Sequence, residues 1–249
     1  SLEALFDRHN GEFAAVILEP MNVAAPKAGF WEGLKELTHA HGALLVFDET
    51  ITGFRYANGG AQELFGVTPD LATFGKGLAN GYPISAVAGR ADVMKLMEEI
   101  FFSFTFGGET LSLAAALATM TKLQTQPVVE TVCRQGDKVM RGLSQLIEKH
   151  GAQSFASVAG HPSWSFFVLA DTPEYTSFEL KTLFLQEMFA RGILTLGTHN
   201  MSYAHSDADV AQLLAAYDVI LPLMRDVVKN RSLAQHLECE PLVPLFKVR

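Results

Sequence analysis

Two short apolar runs separated by a helix-length stretch constrain this chain most. Phe13-Ala-Ala-Val-Ile-Leu18 ends at Glu19-Pro20, and Ala43-Leu-Leu-Val-Phe47 ends at Asp48. Each run is short and uniformly apolar, which reads as a strand buried on both faces. Between them, Gly29 to His41 carries Phe30, Leu34 and Leu37 on one helical face, and Gly42 closes it as a C-cap. Strand, helix and strand of these lengths make a βαβ unit, whose strands run parallel. The expectation is an α/β fold with a mostly parallel sheet and flanking helices.

The pattern continues through Leu71–Phe74 and Ile84–Ala88, two further expected strands. Gly75-Lys-Gly-Leu-Ala-Asn-Gly81, a turn-rich loop with a single Lys, joins them. Phe101-Phe-Ser-Phe-Thr-Phe106 reads as an apolar strand or core plug, and Thr110 to Gln124 as an Ala-rich helix. Pro127 marks a domain boundary, giving residues 1–127 to a larger domain and 128–249 to a smaller α+β one. There, Val128 to His150 is a long helix with Val132, Val139, Leu143 and Leu146 on one face. Strands are expected at Phe155–Val158, Trp164–Ala170 and Ile193–Leu196, with helices at Ser177–Arg191 and Asp207–Val228. Asp207 and Asp209 complement the positive end of the last helix.

Composition removes several function classes. Nineteen Lys and Arg against 27 Asp and Glu leave a net charge of −8, no footprint for nucleic acid or an anionic membrane. No apolar run approaches the roughly 20 residues of a spanning helix. Cys133 and Cys239 offer neither a disulfide framework nor metal-ligand spacing, so no metal is expected and a reducing, cytoplasmic setting is. Ser1 to His9 reads as the tail of an amphipathic helix with no signal peptide, so the chain reads as beginning inside a longer protein.

Asp48 terminates a strand at the edge where open α/β sheets place their ligands. A carboxylate there either caps the following turn or meets a partner. Lys76 follows another strand and would by itself read as a solvated surface charge. Together they suit pyridoxal phosphate (PLP) chemistry. An amine forms a Schiff base with the cofactor's aldehyde, and an acid keeps the pyridine nitrogen protonated so that the ring accepts electrons. The glycines beside Lys76 let backbone approach a cofactor with no Cβ in the way.

The order of several segments carries a resemblance. Gly29-Phe-Trp-Glu-Gly33, His41-Gly-Ala-Leu-Leu-Val-Phe-Asp-Glu49, Thr52-Gly-Phe-Arg55, Gly59-Gly-Ala-Gln62 and Gly66-Val-Thr-Pro-Asp70 lead into Phe74-Gly-Lys-Gly77 and Ala88-Gly-Arg90. The run resembles the class III aminotransferases, PLP enzymes of fold type I, and within them the glutamate-1-semialdehyde aminomutase branch. The resemblance is dense from Phe13 to Ala118 and looser to Val228. It implies Lys76 as the Schiff-base lysine, Asp48 as the acid at the ring nitrogen and Thr50 on the ring face. It implies that Thr105 binds the phosphate of the partner subunit's cofactor, hence a homodimer with sites at the interface. Glu19, of the family's Glu-Pro pair, and Asn22 match supporting positions. The family's N-terminal part, with its phosphate-gripping helix start, is missing from this sequence.

Departures from the family pattern shape the expected function. Ile51 stands where many relatives carry a Gln that reaches the cofactor's phenolic oxygen, and is apolar as in the aminomutases. Leu196–Tyr203 lacks the carboxylate that aminomutases place near the site's mouth, and Gly108-Glu-Thr110 replaces Gly-Asn-Pro. The expectation is an aminotransferase acting between a small amino donor and a carbonyl acceptor. The alternatives are an intramolecular aminomutase, a PLP racemase or decarboxylase, or a catalytically incomplete fragment that dimerises or binds. His199 and Arg55 are substrate candidates. Each has a structural alternative: a loop residue bonded to the backbone for His199, a salt bridge near the turn for Arg55.

Overall fold

The computed structural model describes residues 1–243 and divides into two compact units, the first Ser1–Glu130 and the second beginning at Thr131. The division falls within the first turn of a helix that starts directly after Pro127.

In the first unit α1 (Leu2–Arg8) leads to β1 (Ala15–Leu18), α2 (Phe30–Ala40) and β2 (Leu44–Asp48). Then come α3 (Ala61–Phe65), β3 (Leu71–Phe74), β4 (Ala86–Gly89), α4 (Ala91–Met94) and α5 (Thr110–Thr125). The strands form one sheet in the order β1-β2-β3-β4, with β1, β2 and β3 parallel and β4 antiparallel to β3. The βαβ reading of residues 13–48 therefore holds. α2 lays Trp31 and Leu34 on Leu45, Phe47, Val67 and Ala72, the core of this unit. Gly42, at φ 71°, supplies the left-handed turn that ends the helix and returns the chain to β2.

Three expectations for this unit are corrected. β1 is not buried on both faces: it is an edge strand whose burial alternates, with Ala15 and Ile17 on the outward face and Ile17 62 % exposed. The fourth strand starts at Ala86 rather than Ile84, since the chain first turns through Tyr82–Ile84. Phe101, Phe102, Phe104 and Phe106 form neither strand nor core plug. All four are exposed, Phe101 to 95 %, and the segment ends in a turn over Thr105–Gly108. Aromatic content alone could not separate an inward plug from an outward one.

The second unit is α+β. The long helix α6 (Val128–Lys149) precedes the hairpin β5 (Ala156–His161) and β6 (Trp164–Leu169). α7 (Ser177–Ala190), β7 (Thr198–Asn200) and α8 (Asp207–Asn230) complete it. Its antiparallel sheet has the order β5-β6-β7. The third strand lies at Thr198–Asn200, not at Ile193–Leu196, where Leu194 and Leu196 are exposed. Thr176 and Ser206 each close a capping box, with Glu179 and Asp209, which fixes where α7 and α8 begin. Leu143 and Ile147 of α6 pack with Leu183, Phe184, Tyr217 and Ile220 in a continuous core. Gly136 sits so close to the hairpin that an added Cβ would overlap the Pro162 carbonyl oxygen. Among the described residues no helix is long and apolar enough to cross a membrane.

Candidate active site

Parallel pairing places the candidate residues at one edge of the first sheet. Leu18 pairs with Phe47, and Asp48 pairs with Thr73, so Glu19, Asp48 and the Gly75–Lys76 turn follow the carboxyl ends of three successive strands. Neighbouring strands lie about 4.8 Å apart, so this register alone keeps the three segments close.

Asp48 Oδ1 accepts the Thr50 N–H at 3.0 Å and the Thr73 hydroxyl at 3.1 Å. The first is the turn-capping bond expected of an Asp at a strand end. The Thr50 hydroxyl bond does most to hold the Asp48 carboxyl below its usual pKa. Partial burial works against it, while the Thr50 N–H, Thr73 and the positive charge of Lys76 add to it. Turn cap and candidate ligand are thus compatible roles.

Lys76 opens a single 3₁₀ turn, Lys76–Leu78, with its own φ at 40°. A left-handed backbone is costly for a residue with a Cβ and is held only by its surroundings. The side chain is exposed while Gly75 beside it is buried. An ideal Cβ at Gly75 would stand 3.4 Å from Thr50 Cγ2, and one at Gly53 would stand 2.8 Å from Phe74 Cδ1. The site backbone is therefore packed tightly behind an outward amine.

Around this pair, Asn22 Nδ2 donates to Glu19 Oε2 at 2.9 Å. Burial, and next the charge of Glu19, push the Tyr56 phenol up, and nearby Arg55 opposes them. Glu19, Arg55 and Tyr56 therefore share one neighbourhood, with Arg55 half-buried. Thr105 lies in its exposed turn and, among the described residues, bonds to neither Asp48 nor Lys76. His199 stands in the second unit and is 5 % exposed. Its Nδ1 meets Ser165 Oγ at 2.9 Å and its Nε2 meets Tyr217 Oη at 2.9 Å. It is a strand residue bonded by side chains, not by the backbone, at both ring nitrogens.

Glu49, Tyr56 and Thr73 join the neighbourhood without having been read from the sequence as site residues. Thr73 becomes visible only through the β2–β3 register. Glu49 had a signal in Gly59-Gly60, because an ideal Cβ at Gly60 would come 2.5 Å from Glu49 Oε2.

Comparison with known proteins shows the family to which the chain belongs. Residues 1–212 match the model of the aminotransferase class-III family. The chain is 37 % identical over 204 residues to the glutamate-1-semialdehyde 2,1-aminomutase of Syntrophobacter fumaroxidans, covering 77 % of this chain and 47 % of that one. It is 33 % identical over 241 residues to glutamate-1-semialdehyde 2,1-aminomutase 1 of Bacillus cereus, covering 90 % and 56 %. The chain thus spans about half the length of the curated relatives it matches. Among solved structures it superposes on the PLP internal aldimine form of the Sphingopyxis sp. MTA144 FumI protein with a TM-score of 0.83. There the identity is 28 %, over 97 % of this chain and 57 % of that one. The chain belongs to the class-III aminotransferase family.

Proposed function

We propose that this chain supplies the reactive amine and the ring-holding acid of a PLP-dependent aminotransferase. The enzyme moves an amino group between a small amino donor and a small carbonyl acceptor. The observation that carries this reading is the parallel β2–β3 register, which sets Asp48 at the end of β2 beside the end of β3 that leads into Lys76.

The residues present fit PLP: an exposed amine, an ionised carboxylate and a buried glycine between their turns. When bound, PLP supplies an aldehyde that exchanges amino groups and a ring that accepts the electrons released at the substrate carbon. Asp48 would hold a proton on the ring nitrogen, and its hydrogen bonds from Thr50 and Thr73 favour the anion that does so. Lys76 Nζ carries the proton to and from the substrate, an amine serving as general base and acid. Thr50, which grips Asp48, would pack on the face of the bound ring. Glu19 and Asn22 brace the neighbouring strand end, and Arg55 meets a substrate carboxylate, which a guanidinium binds bidentately.

The reading extends to assembly. Residues 1–127 form part of the large cofactor-binding domain and 128–249 the small one. The exposed Phe101–Phe106 strip, with Leu111 and Leu117 exposed on α5, offers apolar surface of the kind that a second copy covers. In such a homodimer Thr105 would help hold the phosphate of the cofactor bound by the partner subunit. A cytoplasmic setting fits Cys133 and Cys239, which form no disulfide.

The test is PLP titration of the full-length protein followed by transfer from an amine to an added keto acid or aldehyde. Wild type gains a cofactor absorbance band and forms the new amine, and Lys76→Ala loses both. Binding and transfer indifferent to Lys76 would end this reading. The names of the curated relatives and the apolar Ile51 support a second one, intramolecular amino transfer. It is recognised by an isomerised product formed without consuming added carbonyl.

A further inference from the structure

Glu49 takes no part in the chemistry proposed for Asp48 and Lys76, yet it is only 1 % exposed. Its Oε2 accepts the Thr52 hydroxyl at 2.6 Å and the Ala61 N–H at 2.7 Å. Its Oε1 accepts the Gln62 N–H at 2.9 Å and the Gln62 side-chain amide at 3.3 Å. Gly60 leaves this carboxylate the room that a Cβ would take. The main chain of the same residue is fixed as well. The Glu49 carbonyl accepts the Gly53 N–H at 2.8 Å, and an ideal Cβ at Gly53 would stand 2.7 Å from that oxygen.

Burying a carboxylate among neutral donors is expensive. A helix of five residues, such as α3, gives little in return for so complete a cap. The return lies one residue away. Thr50 is the first residue of the turn that Glu49 anchors, and it donates its N–H to Asp48 Oδ1. We propose that Glu49 is a positioning residue, whose two anchors lock the Glu49–Gly53 turn so that Thr50 keeps its grip on the Asp48 carboxylate. Asp48 is thereby aimed before any cofactor arrives. The inference rests on the reading of Asp48 as the ring-holding acid, but the grip itself is a property of the cofactor-free chain.

That property gives the test. Carbon-13 NMR follows the Asp48 carboxyl through a pH titration of the PLP-free full-length protein, assigned with Asp48→Asn. In Glu49→Gln an amide NH₂ faces backbone donors and the turn loosens. The Asp48 midpoint then rises by about one pH unit, a tenfold gain in proton affinity. Thr52→Val keeps the shape, removes one anchor and gives a smaller rise; it decides the matter if Glu49→Gln does not fold. An Asp48 midpoint unchanged from wild type in the folded variants overturns the proposal, however much stability they lose, and leaves Glu49 a simple helix cap. A parallel PLP titration of wild type and Lys76→Ala separates the two readings. Lack of a Lys76-dependent band there would sink the proposed function while the Asp48 titration still judged Glu49.

Discussion

The turn around Lys76 and the strand around His199 treat a basic side chain in opposite ways. Lys76 is exposed, sits on a left-handed backbone and has glycine on either side. His199 is buried in regular strand geometry, with Ser165 and Tyr217 on its two nitrogens. Burial drives its pKa down to about 4, so it stays neutral over most of the pH range. One region spends conformational energy to present a group, whereas the other uses a group to complete its core. Polarity in a sequence does not distinguish these uses; partners and backbone strain do.

The largest expected effect tests the first half of that contrast. Lys76→Ala should lower amino transfer by at least about 10³-fold, the upper range for a lost proton-transfer group, with folding nearly unchanged. Lys76→Gly should be equally inactive yet more stable by about 1 kcal/mol, because glycine tolerates a φ of 40°. Denaturant unfolding of both variants checks this. A Lys76→Gly protein no more stable than the Ala variant would mean that the turn stores no strain.

Only part of this contrast is legible in the sequence, which marks Lys76 and His199 alike as site candidates. Strand ends fix Asp48 and Lys76, because apolar runs of this length must terminate at polar turns, and the parallel register follows from the crossover helix. Three features were not legible. The exposure of β1 depends on what packs on each face of its sheet, and a local pattern does not carry that. The outward Phe101–Phe106 strip has the composition of a core. Glu49 looks like an ordinary surface acid until Gly60 and Ala61, eleven and twelve residues on, fold back over it. In each case a distant segment decides the environment, and periodicity reports only on neighbours along the chain.

The second unit offers the next largest effect. Gly136→Ala drives a Cβ into the Pro162 backbone carbonyl, a clash that no side-chain rotation relieves. The expected cost is about 4 kcal/mol or more, at the severe end for single substitutions. Chemical denaturation should show it as a loss confined to this unit. A cost under about 1 kcal/mol would show that the hairpin yields freely, and would weaken the picture of a rigid second unit.

His199 gives a pH signature of similar origin. Its folded pKa lies below the ordinary 6.5, so between 6.5 and about 4 the unfolded chain binds the extra proton. Stability is then fully present above 6.5 and is lost as the pH falls through 4, by roughly 3 kcal/mol from this group. His199→Gln, which does not titrate, should flatten that limb in a pH series of unfolding curves. An unchanged limb would mean that water reaches the ring and that His199 is less enclosed than its two bonds indicate.

Asp70 sharpens the comparison within the first unit, because it lies at the opposite edge of the sheet from Asp48. It is 2 % exposed, and its oxygens accept His39 Nε2 and the Leu45 N–H, each at 2.8 Å, and the Arg90 guanidinium at 2.9 Å. Burial pulls its pKa up, but these three donors outweigh it and hold the carboxyl below 3.8. The sign is that of a stabilising acid: the contribution is complete above 3.8 and disappears as the pH falls through the lower folded value. Asp70→Asn should cost about 2–3 kcal/mol at neutral pH, the scale of lost hydrogen bonds to a charged group. It should leave the cofactor band of the folded protein intact, whereas Asp48→Asn should do the reverse. A folded Asp70→Asn protein with altered cofactor absorbance would show that the two edges are coupled through β2 and β3, and that the division between a structural and a chemical edge is drawn too sharply.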